Sequence, residues 1–172
     1  MLNALRRKGE KQKLARRLYE GASQRSRDGV FYREFAVSDT FDGRFDLLTF
    51  HVWLLLEAID AGKDRELAQA FVDALFIQFD EGLRDQGTSD MGMGRRMKKI
   101  ADAFYGRLEA YRGAKGEAAL AEAIARNLYR SEACGVEPAQ WLAKYAGTAR
   151  LQLEQSRLDL GELDFGPLPA RA

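Results

Sequence analysis

The segment FDLLTFHVWLLLEAI, from Phe45 to Ile59, is apolar on almost every side of the helix that it would form. Such a helix has to be surrounded by other core elements, because exposing its apolar surface to water is unfavourable. We therefore predict that this segment is the central helix of the protein. Asp42 is its predicted N-cap, and Asp46 suits its first turn, where the helix dipole favours negative charge.

Amphipathic patterns on both sides of the central segment predict further helices. Residues 2–27 form a basic helical pattern with a thin apolar stripe, and Ala61–Asp64 is expected to end the central helix and cap the next one. Residues 28–40 lack a helical period and indicate an ordered connector held by aromatic side chains. The apolar residues that define the later helices recur at helical spacing: Leu67, Phe71, Leu75, Phe79 and Leu83; Met97, Ile100, Ala101, Phe104, Leu108 and Tyr111; Leu120, Ile124 and Leu128; Trp141, Leu142, Tyr145, Ala149 and Leu153.

These patterns predict an all-α protein with about six helices in a single compact domain and no β-strand. A chain of 172 residues is long enough to bury a core of its own. We expect a basic leading helix at residues 1–27, either inside or outside the domain, a helical domain at 28–154 and an extended tail at 155–172. Pro138 is expected at the first position of the last helix.

The composition excludes several classes of site. One cysteine and one histidine rule out a disulfide framework and a Cys/His zinc site. No metal and no cofactor are expected. The chain has no run of eighteen apolar residues that would predict a membrane span, and its cysteine usage fits a reducing compartment. We expect a cytoplasmic location, with peripheral contact at the inner face of a membrane.

The two residue types most often used in catalysis each occur once. His51 lies inside the central helix with no recognisable nucleophile or second histidine, which favours a histidine hydrogen-bonded at the edge of the core over an acid/base group. Cys134 has no basic neighbour in sequence that would lower its pKa, which favours a small packed residue over a reactive thiol. We therefore predict no catalytic residue.

Charge is distributed unevenly, with net +7 over residues 1–33 and net −9 over residues 34–90. The leading helix carries most of the first block and suits either simple solvation or an anionic membrane surface. The residues expected to face such a surface are Arg6, Arg7, Lys11, Lys13, Arg16 and Arg17.

The strongest local contrast lies between Asp80 and Lys99, where an acidic helix end runs through the glycine-rich bend 87–94 into a basic helix start. A phosphate loop is a poor match, because a helix precedes the glycines and Arg95 and Arg96 follow them in place of Lys and Ser/Thr. Cations in a first helical turn oppose the helix dipole, at a cost of some tenths to about 1 kcal/mol each. We interpret the cluster as a site whose partner supplies negative charge.

This segment is the predicted partner-binding site. A mixed-charge protein partner suits it better than nucleic acid, because the acidic residues before the bend would repel phosphate. An RNA-binding or ribosome-binding module that uses the basic patches remains the alternative. The residues predicted to bind the partner are Asp80, Arg84, Asp90, Arg95, Arg96, Lys98, Lys99, Tyr105 and Arg107.

Three blocks of the sequence resemble the ubiquinol-cytochrome c chaperone family: DTFDGRFDLLTFH from Asp39 to His51, FDEGLRDQG from Phe79 to Gly87, and DMGMGRRMKKIADAFYGR from Asp90 to Arg107. The resemblance extends over residues 15–150. It implies an all-helical, non-enzymatic assembly factor for respiratory complex III, the cytochrome bc1 complex, that takes no small-molecule substrate.

The same resemblance implies partners. Mitochondrial members of the family bind newly made cytochrome b, work with a small helical protein and sit near the ribosomal tunnel exit. This chain shows no obvious targeting or anchoring extension, so it is similar to a compact bacterial-type member, and the small partner and the ribosome contact do not carry over directly. We expect cytochrome b or a complex III assembly intermediate as the partner.

Overall fold

The computed structural model of the protein describes residues 2–85 and 90–169, with the side chains of residues 6–85 and 92–169. These residues contain seven α-helices, two single turns of 3-10 helix and no strand, which confirms the predicted all-α fold. The helices are α1 (Leu2–Ser26), α2 (Gly29–Arg33), α3 (Phe41–Ala61), α4 (Arg65–Asp85), α5 (Asp90–Gly113), α6 (Glu117–Leu128) and α7 (Val136–Gln155).

Helix α3 is the centre of the fold, as its apolar sequence predicts. It contacts α1, α4, α5, α6 and α7. The run from Phe50 to Leu56 is buried throughout, so this helix has no face left for solvent. None of the described helices combines the length and the apolar composition that crossing a bilayer requires.

The start of α3 differs from the prediction. The N-cap is Thr40, whose hydroxyl accepts a hydrogen bond from the backbone N–H of Gly43 at 3.2 Å. Asp42 lies inside the first turn instead, where a carboxylate still interacts favourably with the helix dipole. At the other end the prediction is confirmed, because α3 ends at Ala61 with Gly62 as its C-cap, and the Asp64 carboxylate accepts from the N–H of Leu67 in the first turn of α4.

Two other boundaries also differ. The predicted connector contains the five-residue helix α2, which Asp28 caps by accepting from the N–H of Val30. Helix α7 begins at Val136, so Pro138 is its third residue and not its first. Both differences are short-range, since neither moves an apolar residue out of the core.

The ends of the chain pack against the same helices. Helix α1 lies against α4 and α3 and buries Ala15, Leu18 and Ala22 completely. After α7 the chain turns back and follows an extended path in which Phe165 is buried. Arg25 of α1 donates a hydrogen bond to the carbonyl of Gly166 at 2.8 Å. The described part of the C-terminal segment is therefore attached to the helical core.

His51 lies within the core, deeper than the edge position expected from the sequence, and it is hydrogen-bonded as predicted. Its Nδ1 donates to the carbonyl of Leu47 at 3.0 Å, which leaves Nε2 to accept from the Tyr145 hydroxyl at 3.3 Å. Burial lowers the pKa of His51 to about 3. The ring is neutral, fully buried and surrounded by aromatic rings, so it has no access to a substrate.

Glycine at position 43 is required by a close backbone approach. A Cβ atom there would lie 2.0 Å from the carbonyl oxygen of Ser38, which is backbone and cannot rotate away. We expect Gly43→Ala to lower the free energy of unfolding by about 1–3 kcal/mol, the usual cost of overpacking. Urea denaturation monitored by circular dichroism measures the change.

Gly106→Ala is the matched control. Gly106 is an exposed residue of α5, and apart from its sequence neighbours and the nearby backbone of its own helix no described atom lies within 4 Å of the position that a methyl group would take there. The added methyl group should raise the free energy of unfolding by about 0.5–1 kcal/mol through reduced chain entropy. Equal destabilisation of both variants would show that the Ser38 contact does not limit position 43.

Candidate functional site

The candidate site is formed by the end of α4 and the first half of α5, and we call residues 80–85 and 92–107 the α4–α5 corner. On α4, Arg84 donates to the carboxylate of Asp80 at 2.7 Å, which is the ion pair that their spacing of four residues predicts. Glu81 accepts from the side chain of Gln78 on the same outer face. The acidic side of the corner is thus partly paired within α4.

Helix α5 begins earlier than the sequence predicts. Its first residue is Asp90, so Gly92 and Gly94 belong to the helix and not to a bend. Arg95 is the sixth residue, and the four cations occupy the second and third turns. Since the helix dipole acts mainly within the first turn, the predicted conflict between these cations and the dipole is much smaller. Residues 86–89 and the side chain of Asp90 lie outside the described residues.

A basic face runs along this part of α5. Arg95, Arg96, Lys98 and Lys99 are all exposed. Arg95, Lys98 and Lys99 form no ion pair with any described residue. Like charges at Arg95 and Lys99 are four residues apart and repel each other weakly. Arg95, Lys98 and Lys99 therefore present positive charge to solvent that no described residue pairs with.

Tyr105 lies beside this face and is 53% exposed. Its ring is stacked on that of Phe76 of α4, with 6.1 Å between the ring centroids. The same tyrosine lines an open groove of about 700 Å³ between α4 and α5, whose apolar lining includes Val72 and Leu108. Tyr105 is the residue of the corner that lines this groove, so an accessible apolar surface adjoins the cations of the corner.

Arg107 does not join the basic face, contrary to the sequence prediction. Its side chain is only 15% exposed, and one of its terminal nitrogens lies 2.6 Å from Oδ1 of Asp46, whose side chain is 1% exposed. The contact is an ion pair, and Oδ1 has no aligned hydrogen-bond donor among the described residues. Arg107 links α5 to α3 and is not available to a partner.

Asp46 is the residue that sequence reasoning underrated. Arg130, which follows α6, also reaches its carboxylate at 3.3 Å, so Asp46 connects three elements of the fold. Burial raises the pKa of the carboxyl to about 6, although both guanidiniums act in the opposite direction. An aspartate inside an otherwise apolar stretch was the available signal, since a buried carboxylate needs charged partners.

The predicted membrane-surface residues of α1 are partly paired and partly exposed. On α1, Lys11 forms ion pairs with Asp64 and with Glu66, the latter at 3.2 Å, and so belongs to the α1–α4 contact. Arg6 is paired with Glu10 at 3.1 Å but stays largely exposed. The remaining predicted membrane-surface residues are exposed: Arg7, Lys13, Arg16 and Arg17.

Two further predictions concern reactive groups. Cys134 is exposed in a 3-10 turn and not packed, which corrects the sequence expectation; its thiol lies 3.7 Å from a carboxylate oxygen of Glu132. Across residues 6–85 and 92–169, no group of His, Cys, Asp and Glu is arranged to hold a metal ion.

Comparison with known proteins gives two matches. Residues 33–159 match the family described as ubiquinol-cytochrome C chaperone. The chain is also similar to a solved structure described as the Cbp3 homolog from Brucella abortus, with 32% sequence identity, a TM-score of 0.74, and coverage of 95% of this chain and 97% of that chain. The comparison with curated proteins gave no match.

The raised pKa of Asp46 predicts a specific pH dependence. Because the folded state holds this proton up to about pH 6 and the unfolded state releases it near pH 4, the contribution of Asp46 to stability is greatest at low pH and falls across that window. Relative to Asp46→Asn, the free energy of unfolding of the wild type should therefore fall by about 2 kcal/mol between pH 4 and pH 7.

Urea denaturation of both proteins at the two pH values checks this result. Asp42→Asn is the control, because Asp42 also pairs with Arg130 at 3.3 Å but its side chain is 72% exposed. Its difference from the wild type should change little with pH. A wild-type advantage over Asp46→Asn that grows with pH would show that the arginines outweigh burial.

Proposed function

The chain belongs to the ubiquinol-cytochrome C chaperone family, and on that premise we propose that it binds newly made cytochrome b, or an early assembly intermediate of respiratory complex III, through the α4–α5 corner. Membership of this family implies a role as an assembly chaperone for ubiquinol–cytochrome c reductase. Holding a client requires a binding surface and no catalytic group, so a non-enzymatic role follows from the same premise.

The observation that carries the site proposal is the basic face of α5. Arg95, Lys98 and Lys99 are exposed, and no described residue pairs with them. Clustered like charges repel each other, and an acidic partner relieves that repulsion while it orients the complex. We infer that the client or its intermediate presents acidic residues to this face.

The groove beside Tyr105 supplies the second property that a chaperone of a membrane protein needs. Its lining is largely apolar, and Asp60, Arg65, Glu109 and Arg112 give it charged edges. An apolar client side chain would gain about 25 cal/mol for each Å² that it buries there. Neighbouring apolar and charged contacts would favour a client segment that contains both apolar and charged residues, such as the end of a membrane-spanning helix.

An RNA-binding or ribosome-binding role receives no support from either match. The structure also weakens the basic patch on which that alternative depends, because Arg107 is turned towards Asp46. A small helical partner protein is likewise part of the proposal only, and we assign it no surface.

The binding proposal predicts the effect of charge reversal at three residues. Changing Arg95, Lys98 and Lys99 to Glu should lower the amount of assembled complex III by about tenfold, since each reversal replaces attraction with repulsion at the interface. The variant is expressed as the sole copy in cells, and assembled complex is measured by native gel electrophoresis and by ubiquinol–cytochrome c reductase activity.

The matched control reverses three exposed cations elsewhere, Lys63, Lys115 and Arg126. Both variants should unfold within about 0.5 kcal/mol per substitution of the wild type, because surface changes rarely cost more. Normal assembly with the corner variant would refute the site. Equal loss in both variants would attribute the effect to overall charge. Loss of bound RNA without loss of assembly would favour the RNA-binding alternative.

We also propose that α1 rests on an anionic membrane surface through its exposed cations, with Lys11 left out because it pairs with Asp64 and Glu66. Each basic residue near such a surface contributes about 1 kcal/mol. Lys13, Arg16 and Arg17 are exposed on the side of the helix away from the buried Leu18 and Ala22.

This second proposal predicts weaker vesicle binding for a charge-neutral α1. Lys13→Gln, Arg16→Gln and Arg17→Gln together should lower partitioning onto phosphatidylglycerol vesicles by about 100-fold at low salt. Co-sedimentation measures the bound fraction. Glutamine at Lys63, Lys115 and Arg126 is the control, and binding lost equally in both variants would contradict a specific role for α1.

A further inference from the structure

An open pocket of about 660 Å³ lies on a different part of the molecule, where the end of α1, helix α2, the first turns of α3 and one residue of α4 meet. Its volume is within the range of small-molecule sites, which is about 300–1,000 Å³. It contains none of the residues of the α4–α5 corner.

The lining of this pocket is mainly apolar and aromatic. The side chains that form it pack against the core on one side and stay partly exposed on the other. Phe41, at the start of α3, is 56% exposed although it is a large apolar residue. The partly buried lining residues are Tyr19, Tyr32, Phe45, Leu48 and Phe79. Covering this surface with an apolar chain would be favourable, because it removes apolar area from water.

The charged residues of the pocket lining are three arginines and one aspartate. They are Arg27, Arg33 and Arg44, and the carboxylate is Asp39, which pairs with Arg44 at 2.6 Å. Burial raises the pKa of Tyr32, and Arg27 and Arg44 lie close enough to its hydroxyl to oppose that rise. The rim therefore carries a net positive charge close to the apolar lining.

The position of Arg33 depends on a glycine. A Cβ atom at Gly29 would lie 2.2 Å from a terminal nitrogen of the Arg33 guanidinium. The side chain of Arg33 thus folds over the start of α2 and back towards the pocket. A Cβ atom at position 29 would require the Arg33 guanidinium to shift from this position.

We propose that this pocket binds an anionic phospholipid, with its phosphate at Arg27 and Arg33 and an apolar chain along the aromatic lining. Guanidinium groups bind phosphate with two parallel hydrogen bonds. Arg27 and Arg33 have no carboxylate partner among the described residues, whereas Arg44 is held by Asp39. An apolar ligand without charge would leave the rim unused, and a free anion would leave the lining unused.

The test is a titration of the full chain with dihexanoyl-phosphatidylglycerol below its micelle concentration, followed by the amide signals of the pocket residues in nuclear magnetic resonance. Saturable shifts confined to the pocket are expected. Inorganic phosphate and dihexanoyl-phosphatidylcholine each supply only part of the recognition, because one lacks the chain and the other lacks net charge. Each should bind at least about tenfold more weakly.

Variants test the residues. Arg27→Gln with Arg33→Gln should weaken phosphatidylglycerol binding by about tenfold or more, whereas Lys63→Gln with Lys115→Gln removes the same charge elsewhere and should leave it unchanged. Phe41→Ser should weaken the lipid without changing inorganic phosphate. Equal binding of phosphatidylcholine, or equal effects of both double variants, would overturn the proposal, as would shifts spread over the whole surface.

Phosphatidylglycerol vesicles distinguish the source of the lipid. If the pocket takes lipid from a bilayer, the Arg27 and Arg33 variant should lose vesicle binding as well. If it takes dispersed lipid, that variant should lose only the short-chain ligand, and vesicle binding should follow the cations of α1. Loss of neither would refute the pocket.

Discussion

The fold depends on the burial of α3. A helix without a polar face is stable only when other helices surround it, and α1, α4, α5, α6 and α7 all contact it. Trp53, Leu54 and Leu55 are completely buried at its middle. The amphipathic stripes of the other helices are the complementary half of this arrangement, because each directs its apolar residues towards α3 or towards a neighbour that also contacts it.

Two polar residues of α3 make specific contacts with other elements, in addition to the apolar packing. His51 meets Tyr145 of α7 and packs against Phe165 of the C-terminal segment. Asp46 meets Arg107 of α5 and Arg130. Arg130 holds a left-handed backbone, with φ of 53°, at the place where it reaches Asp46. Buried polar contacts are weak evidence for stability. We therefore interpret these two as contacts that specify how the helices pack against one another.

The surface carries charged residues that the packing of the core does not explain. Arg95, Lys98 and Lys99 of α5 contribute nothing visible to folding, since they form no ion pair with a described residue and lie beyond the first helical turn. The arginines beside the aromatic pocket of α1, α2 and α3 are also more than the fold requires. Charged groups that make no contact within the fold are available to bind a partner, and the two surfaces share no residue.

The sequence by itself determined the helical class, the central position of α3, the apolar stripes and the exposure of Arg95, Lys98 and Lys99, because periodicity and local charge decide these features within one helix. It also carried the family resemblance. Only the tertiary structure decided that Arg107 points to Asp46, that α5 starts at Asp90, and that Phe165 returns to His51. These features depend on residues far apart in the chain, or on backbone geometry at a turn, and neither leaves a periodic signal.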